Sequence, residues 1–202
     1  MAADYRVASR HDVRAVDCLK DAKSAVRYVR ENAKRLGVDP NRIVAGGGSA
    51  GGHLAAACGT IAEFDEANED DSISSRPNAM LLFNPAVVLA PIDEVELNDP
   101  RMEQRLNRLG APPRELSPYH HIATDAHPTA IFHGTNDKTV PIETVKVFTK
   151  AMKEAGNTCE LFSYDGEGHG FFNYGRGGNK MYYATVLEAD KFLNRLGYLQ
   201  GE

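Results

Sequence analysis

The chain of 202 residues has no run of about 18 consecutive apolar residues, so it offers no membrane-spanning helix. It has no excess of basic residues either. With 23 Lys and Arg against 28 Asp and Glu, the formal net charge of −5 argues against a nucleic-acid surface, which would show a basic patch. Its three cysteines, Cys18, Cys58 and Cys159, are odd in number and widely spaced, a pattern of buried or free thiols more than of disulfides or a zinc site. The amino terminus lacks the charged start and apolar stretch of a signal peptide, and as it stands the sequence reads as cytoplasmic. No repeats or low-complexity tracts interrupt it. What remains, 42% hydrophobic and 25% charged residues, suits one substantial core, and residues 1–202 are expected to form a single domain.

The stretch Gly47-Gly48-Ser49-Ala50-Gly51 lies between the apolar run Ile43-Val44-Ala45 and the helix-forming run His53-Leu54-Ala55-Ala56-Ala57. A strand that reverses sharply into a helix strains the backbone at a central serine, and small neighbours leave room for it. The serine hydroxyl is thereby presented to solvent. Ala50 would begin the helix, so its N–H and the helix N-terminus face any negative charge that develops beside Ser49, as half of an oxyanion hole. Gly46-Gly47-Gly48-Ser49-Ala50-Gly51 also fits the dinucleotide turn Gly-x-Gly-x-x-Gly, which wants an acidic residue about 20 positions on, at the end of the next strand. The next strand-like run, Ala79-Met80-Leu81-Leu82-Phe83, comes later and ends at Asn84-Pro85.

Two further segments bear on the choice. The apolar run Ile131-Phe132-His133-Gly134 leads into a polar loop carrying Asp137, and Pro141 opens a helix. Glu160-Leu161-Phe162-Ser163-Tyr164 reads as another strand, followed by a glycine-rich loop holding His169. In a parallel sheet Ser49, Asp137 and His169 all leave the carboxyl ends of strands and converge on one edge, in the order serine, acid, histidine. Asp165 could stand in as the acid, although Asp137 is favoured by its strand-end position.

These residues resemble the α/β-hydrolase superfamily, in the carbohydrate acetyl-esterase and feruloyl-esterase-like branch. The likeness rests on Asp39-Pro40-Asn41-Arg42-Ile43, Gly48-Ser49-Ala50-Gly51-Gly52-His53-Leu54-Ala55, Ser117-Pro118, His133-Gly134-Thr135-Asn136-Asp137 and Gly168-His169-Gly170-Phe171. It implies an α/β fold with a mostly parallel sheet flanked by helices, and a serine esterase that cleaves short-chain carboxylic esters through an acyl-enzyme, acetyl groups on carbohydrates among them. No cofactor and no metal are implied, and the partner is a small-molecule ester. Similar proteins carry a His-Gly-Gly-Gly loop upstream that supplies a second oxyanion donor. That loop is absent here, and Ala3-Asp4-Tyr5-Arg6-Val7 resembles the end of the strand that should follow it, so the fold reads as shortened at its amino terminus. The elbow strand would then lie at or near a sheet edge, which invites pairing with another chain and suggests a homodimer. A prolyl-oligopeptidase-like peptidase and a non-catalytic remnant are the alternatives.

Apolar spacing places one helix over Ala22, Val26, Val29, Ala33 and Leu36, ending at Gly37 and packing on the sheet. Another runs from Pro141 to about Gly156, and a last one carries Val186, Ala189, Leu193 and Leu196 as core residues. The stretch 86–127 lacks strong periodicity and reads as an insertion over the active-site edge, with Val87, Val88, Leu89 and Tyr119 as candidate substrate-binding residues. Packing within the insertion is the competing reading of those four. His120-His121 point apart as neighbours must, and His53 and His133 have structural explanations in a helix and a strand end.

Overall fold

Four apolar runs build the sheet. The computed structural model describes residues 1–93, 95 and 107–199. Its strands are β1 (Val44–Gly48), β2 (Ala79–Phe83), β3 (Thr129–Gly134) and β4 (Cys159–Tyr164), all parallel in the spatial order β1-β2-β3-β4. Every residue of β3 is buried, as a parallel strand covered on both faces requires. The order also leaves β1, the strand that feeds the serine turn, with β2 as its one described neighbour, matching the expectation of an edge position.

Among the described residues the α-helices are α1 (Ala8–His11), α2 (Ala15–Glu31), α3 (Ala33–Leu36), α4 (Ala50–Thr60), α5 (Ile142–Glu154) and α6 (Lys180–Arg195). Alternate residues of β2 sort the layers. Met80 and Leu82 meet Ala55 and Ala56 of α4 and Val145, Phe148 and Met152 of α5, whereas Leu81 and Phe83 face the side where Phe132 packs on Ala189 and Phe192 of α6. Helix α4 is buried at every position from Gly52 to Gly59, because it has the sheet on one side and α2 on the other.

That arrangement corrects the placement of α2. It packs on α4 through Leu19, Leu54, Ala57, Cys58 and Ile61, and reaches the core as a second layer. The helix begins at Ala15, seven residues before the apolar spacing signals it, and breaks at Asn32 before α3. Its buried face holds Leu19 and Val26 together with two cations, Lys23 and Arg27. The Lys23 ammonium reaches the Ala62 and Glu63 carbonyls at 2.8 and 2.6 Å and Asp65 Oδ2 at 2.6 Å. Arg27 bonds Asp65 Oδ1 at 2.6 Å and also Glu69. Burial alone would raise the Asp65 carboxyl, but these two cations outweigh it and hold the group below its ordinary range.

Two smaller corrections follow from packing, while the cysteines are as expected. Residues 3–7 form no strand; Arg6 is instead tied to Asp21 at 2.7 Å and Glu66 at 3.1 Å. In α6 the buried positions are Thr185, Ala189 and Phe192, while Val186 is exposed. The three cysteines are free, and burial pushes the Cys58 thiol up to about 12 and the Cys159 thiol up to about 11. Cys18, half-buried, is also raised by burial, and its Sγ lies 3.1 Å from the Arg6 carbonyl. No helix among the described residues is long and apolar enough to cross a membrane.

Candidate active site

Ser49 stands between the last residue of β1 and the first of α4, with φ +54° and ψ −114°. A non-glycine residue in this region costs on the order of 1–3 kcal/mol and persists only where its surroundings impose it. Here the Ser49 N–H donates to the Phe83 carbonyl at 2.8 Å, anchoring the turn to β2. A side chain on Gly47 would put its Cβ 2.6 Å from the Gly51 carbonyl carbon, and one on Gly52 would lie 2.9 Å from the Gly47 oxygen. Strand and helix therefore approach too closely for any side chain at either position. A Cβ on Gly51 would meet nothing within 4 Å, so the crowding that the motif suggests at Gly51 falls on its neighbour.

A serine before a helix ordinarily turns its hydroxyl back to cap the first N–H groups, worth about 1 kcal/mol. Ser49 makes no such bond. Its Oγ lies 2.9 Å from His169 Nε2, and His169 Nδ1 lies 2.7 Å from Asp137 Oδ2. Asp137 sits three residues past β3, its side chain wholly buried, and its Oδ1 accepts the Thr139 and Val140 N–H groups at 2.8 and 3.0 Å. An ionised carboxylate can only accept, so Nδ1 carries the proton and Nε2 is left as the acceptor for the serine hydroxyl. The histidine loop is held in turn, since the Asn136 N–H donates to the Glu167 carbonyl at 2.9 Å and Arg176 donates to the His169 carbonyl at 3.0 Å. The imidazole remains partly open, at 26% side-chain exposure.

Ala50 is the first residue of α4, where the backbone N–H has no acceptor within the helix. Asp165, the rival acid, is exposed and accepts from the Thr135 hydroxyl at 3.2 Å, away from the imidazole. His53 is buried with Nδ1 2.9 Å from the Ala86 carbonyl, and burial pushes its pKa below the ordinary range. His133 is buried against the Val140 carbonyl at 2.9 Å, and burial lowers it likewise. His120 stands edge-on to Tyr119, and His121 Nε2 lies 3.1 Å from the Arg114 carbonyl.

The substrate-lining expectation needs correction. Val87 has no exposed surface and Val88 almost none, and both belong to the central core. Leu89 packs toward the α2–α4 layer, and Tyr119 packs against the central core while donating its N–H to the Val87 carbonyl at 2.9 Å. The apolar residues at these positions are thus spent on the interior. The open cleft beside His169, about 240 Å³, is lined instead by Glu167, Phe171, Arg176, Lys180 and Met181. Phe172, too, stands against the serine turn, for a Cβ on Gly48 would lie 2.5 Å from its ring. The sequence signal for this wall was the glycine-rich run 166–178 with its paired phenylalanines. Residues 94 and 96–106 of the expected insertion lie outside the described residues. In the sequence Asn84 marks only the end of a strand, yet its side chain touches Asp137.

The model of the family BD-FAE matches residues 1–152. The chain belongs to the BD-FAE family. Within this family's span lie Ser49, Ala50 and Asp137, while the model of the dienelactone hydrolase family matches residues 110–197, which include Asp137 and His169. The fold is that of the α/β-hydrolases. The apo form of Thermogutta terrifontis esterase 2 superposes with a TM-score of 0.91 at 51% identity, over 98% of this chain and 72% of that one. Among curated relatives are an acetylxylan esterase of Xylanibacter ruminicola, 28% identical over 75% of this chain, and esterase LipC of Mycobacterium tuberculosis, 27% identical over 85% of it. The chain spans 30% and 44% of the length of these two relatives.

Proposed function

We propose that this BD-FAE chain is the catalytic domain of a serine esterase that cleaves short-chain carboxylic esters of small molecules. The observation that carries the reading is the continuous relay from Ser49 Oγ through His169 to Asp137, at 2.9 and 2.7 Å. His169 Nε2 takes the hydroxyl proton as Ser49 Oγ attacks the ester carbonyl, and Asp137 orients the imidazole and stabilises its charged form. The Ala50 N–H supplies one donor to the tetrahedral oxyanion. His169 then gives its proton to the departing alcohol, leaving an acyl group on Ser49. Water, deprotonated by the same histidine, attacks the acyl carbonyl, and the histidine returns that proton to Ser49 Oγ as the bond to the acyl group breaks and the carboxylic acid leaves.

The acyl group is inferred to be short. Thermogutta terrifontis esterase 2, at 50–51% identity, has been solved with propionate and with butyrate bound, and also phosphonylated by sarin. The name of the acetylxylan esterase relative supports acetyl esters of carbohydrates as the narrower substrate. The edge position of β1 supports a homodimer, and light scattering after size exclusion should give about twice the 22.1 kDa chain mass; a clean monomer at tens of micromolar overturns it.

The test of the reaction needs no assumed substrate. A fluorophosphonate should add once to the wild type, by intact mass, and not to Ser49→Ala or His169→Ala. The same wild type should hydrolyse p-nitrophenyl acetate and butyrate faster than the octanoate. A folded wild type that takes up no fluorophosphonate overturns the esterase reading.

A further inference from the structure

Asn84 follows the last residue of β2, so the topology sets it between the ends of β1 and β3, beside Ser49 and near Asp137. It is completely buried. Its Nδ2 donates to Asp137 Oδ2 at 2.8 Å, the same oxygen that receives His169 Nδ1 at 2.7 Å. Its Oδ1 accepts the Gly170 N–H, the residue after His169, at 3.1 Å. The orientation of the amide follows from its partners: a carboxylate only accepts and a backbone N–H only donates, so a flipped amide would set oxygen against oxygen and hydrogen against hydrogen. We propose that Asn84 is a positioning residue, a neutral clamp that holds the acid and the histidine loop together so that Nδ1–H meets Oδ2. This rests on the serine-esterase reading of the same site.

Two independent constraints select asparagine. The backbone at position 84 has φ +43°, a region entered readily by glycine, asparagine and aspartate. Glycine carries no amide to join the two partners. Aspartate would place a second carboxylate 2.8 Å from the first. A lysine or arginine at the same point would satisfy Oδ2 but neutralise it, whereas the amide fixes the carboxylate and leaves its whole charge to the imidazolium that forms in the reaction. His133 does not provide the clamp: its Nε2 is 3.5 Å from Asp137 Oδ2 and turned to the Val140 carbonyl at 2.9 Å.

The test compares the wild type with Asn84→Gly and Asn84→Asp, both of which tolerate the positive φ, with thermal melts to establish folding. Three readouts serve: kcat and KM on p-nitrophenyl acetate across pH, the rate of fluorophosphonate labelling across pH, and the low-field proton resonance of His169 Nδ1–H. Asn84→Gly should lower kcat about 10²-fold with KM within about twofold, since loosened geometry costs rate more than affinity, and should lose the resonance. Asn84→Asp should move the acid limb of kcat/KM to higher pH by about one unit or more, because the added carboxylate favours the imidazolium. Variants that fold and keep the wild-type kcat, acid limb and resonance overturn the clamp, as does a loss of thermal stability alone. An unlabelled wild type overturns the esterase reading separately, and the resonance, which requires no substrate, still reports whether Asn84 holds the pair.

Discussion

Among the described residues, the polar networks around Asp65 and Asp137 treat charge in opposite ways. Around Asp65 the charges cancel: Lys23 and Arg27 face Asp65 and Glu69, with carbonyls completing the ammonium's shell. Around Asp137 they do not. Its carboxylate is surrounded by the amide of Asn84, two backbone N–H groups and an imidazole N–H. Dipoles hold the anion without discharging it, so the full countercharge is met only when His169 becomes protonated. A balanced cluster fastens elements that are distant in sequence, whereas an unbalanced one keeps electrostatic stabilisation in reserve for a reacting state.

The contrast can be broken first at its reactive end. Asp137→Asn retains shape and most hydrogen bonds but cannot fix the imidazole tautomer, and kcat for p-nitrophenyl acetate should fall about 10⁴-fold while the melting temperature moves little. Asp65→Asn should do the reverse. It leaves the buried Lys23 charge without its carboxylate and should cost about 3 kcal/mol by denaturant titration, with kcat of the folded fraction unchanged. Lys23→Met, which removes the charge and keeps the apolar stem, should cost less than Asp65→Asn. The smallest effect is in acid. Burial raises the Asp65 and Asp21 carboxyls, but their cationic partners hold both below the ordinary carboxylate value. Their contribution is therefore fully present above an unfolded pKa of about 4 and is lost as pH falls through the lower folded values. Stability measured from pH 6 down to pH 3 should decline in the wild type, and Asp65→Asn should flatten part of that slope.

The sequence and the structure agree best where chemistry constrains a short stretch. The convergence of Ser49, Asp137 and His169 was legible because each follows the carboxyl end of a strand, Ser49 and His169 next to glycine and Asp137 in the loop between Gly134 and Pro141, and a parallel sheet brings such ends together. The strands themselves were legible as apolar runs, and β2 falls on the residues expected of it. Local pattern failed where a partner is remote. The buried cations of α2 meet residues roughly 40 positions away, and nothing in the helical spacing foretells a lysine inside. Asn84 looked like punctuation after a strand, because its bonds to Asp137 and Gly170 span 53 and 86 positions. Val87 and Val88 share the apolar character of a substrate pocket and of a core, and only packing separates the two.

The burial of Cys58 and Cys159 has a chemical consequence beyond packing. Thiolates are the natural competitors of an activated serine for any electrophile, and thiols raised to about 12 and 11 carry almost no thiolate near neutral pH. Cys18, half-buried and also raised, is the slow remaining target. On the serine-esterase reading the fold favours Ser49 over the thiols: an acylating or phosphonylating reagent should find Ser49, and prolonged treatment of the native protein with iodoacetamide should consume Cys18 at most while leaving the serine reactive.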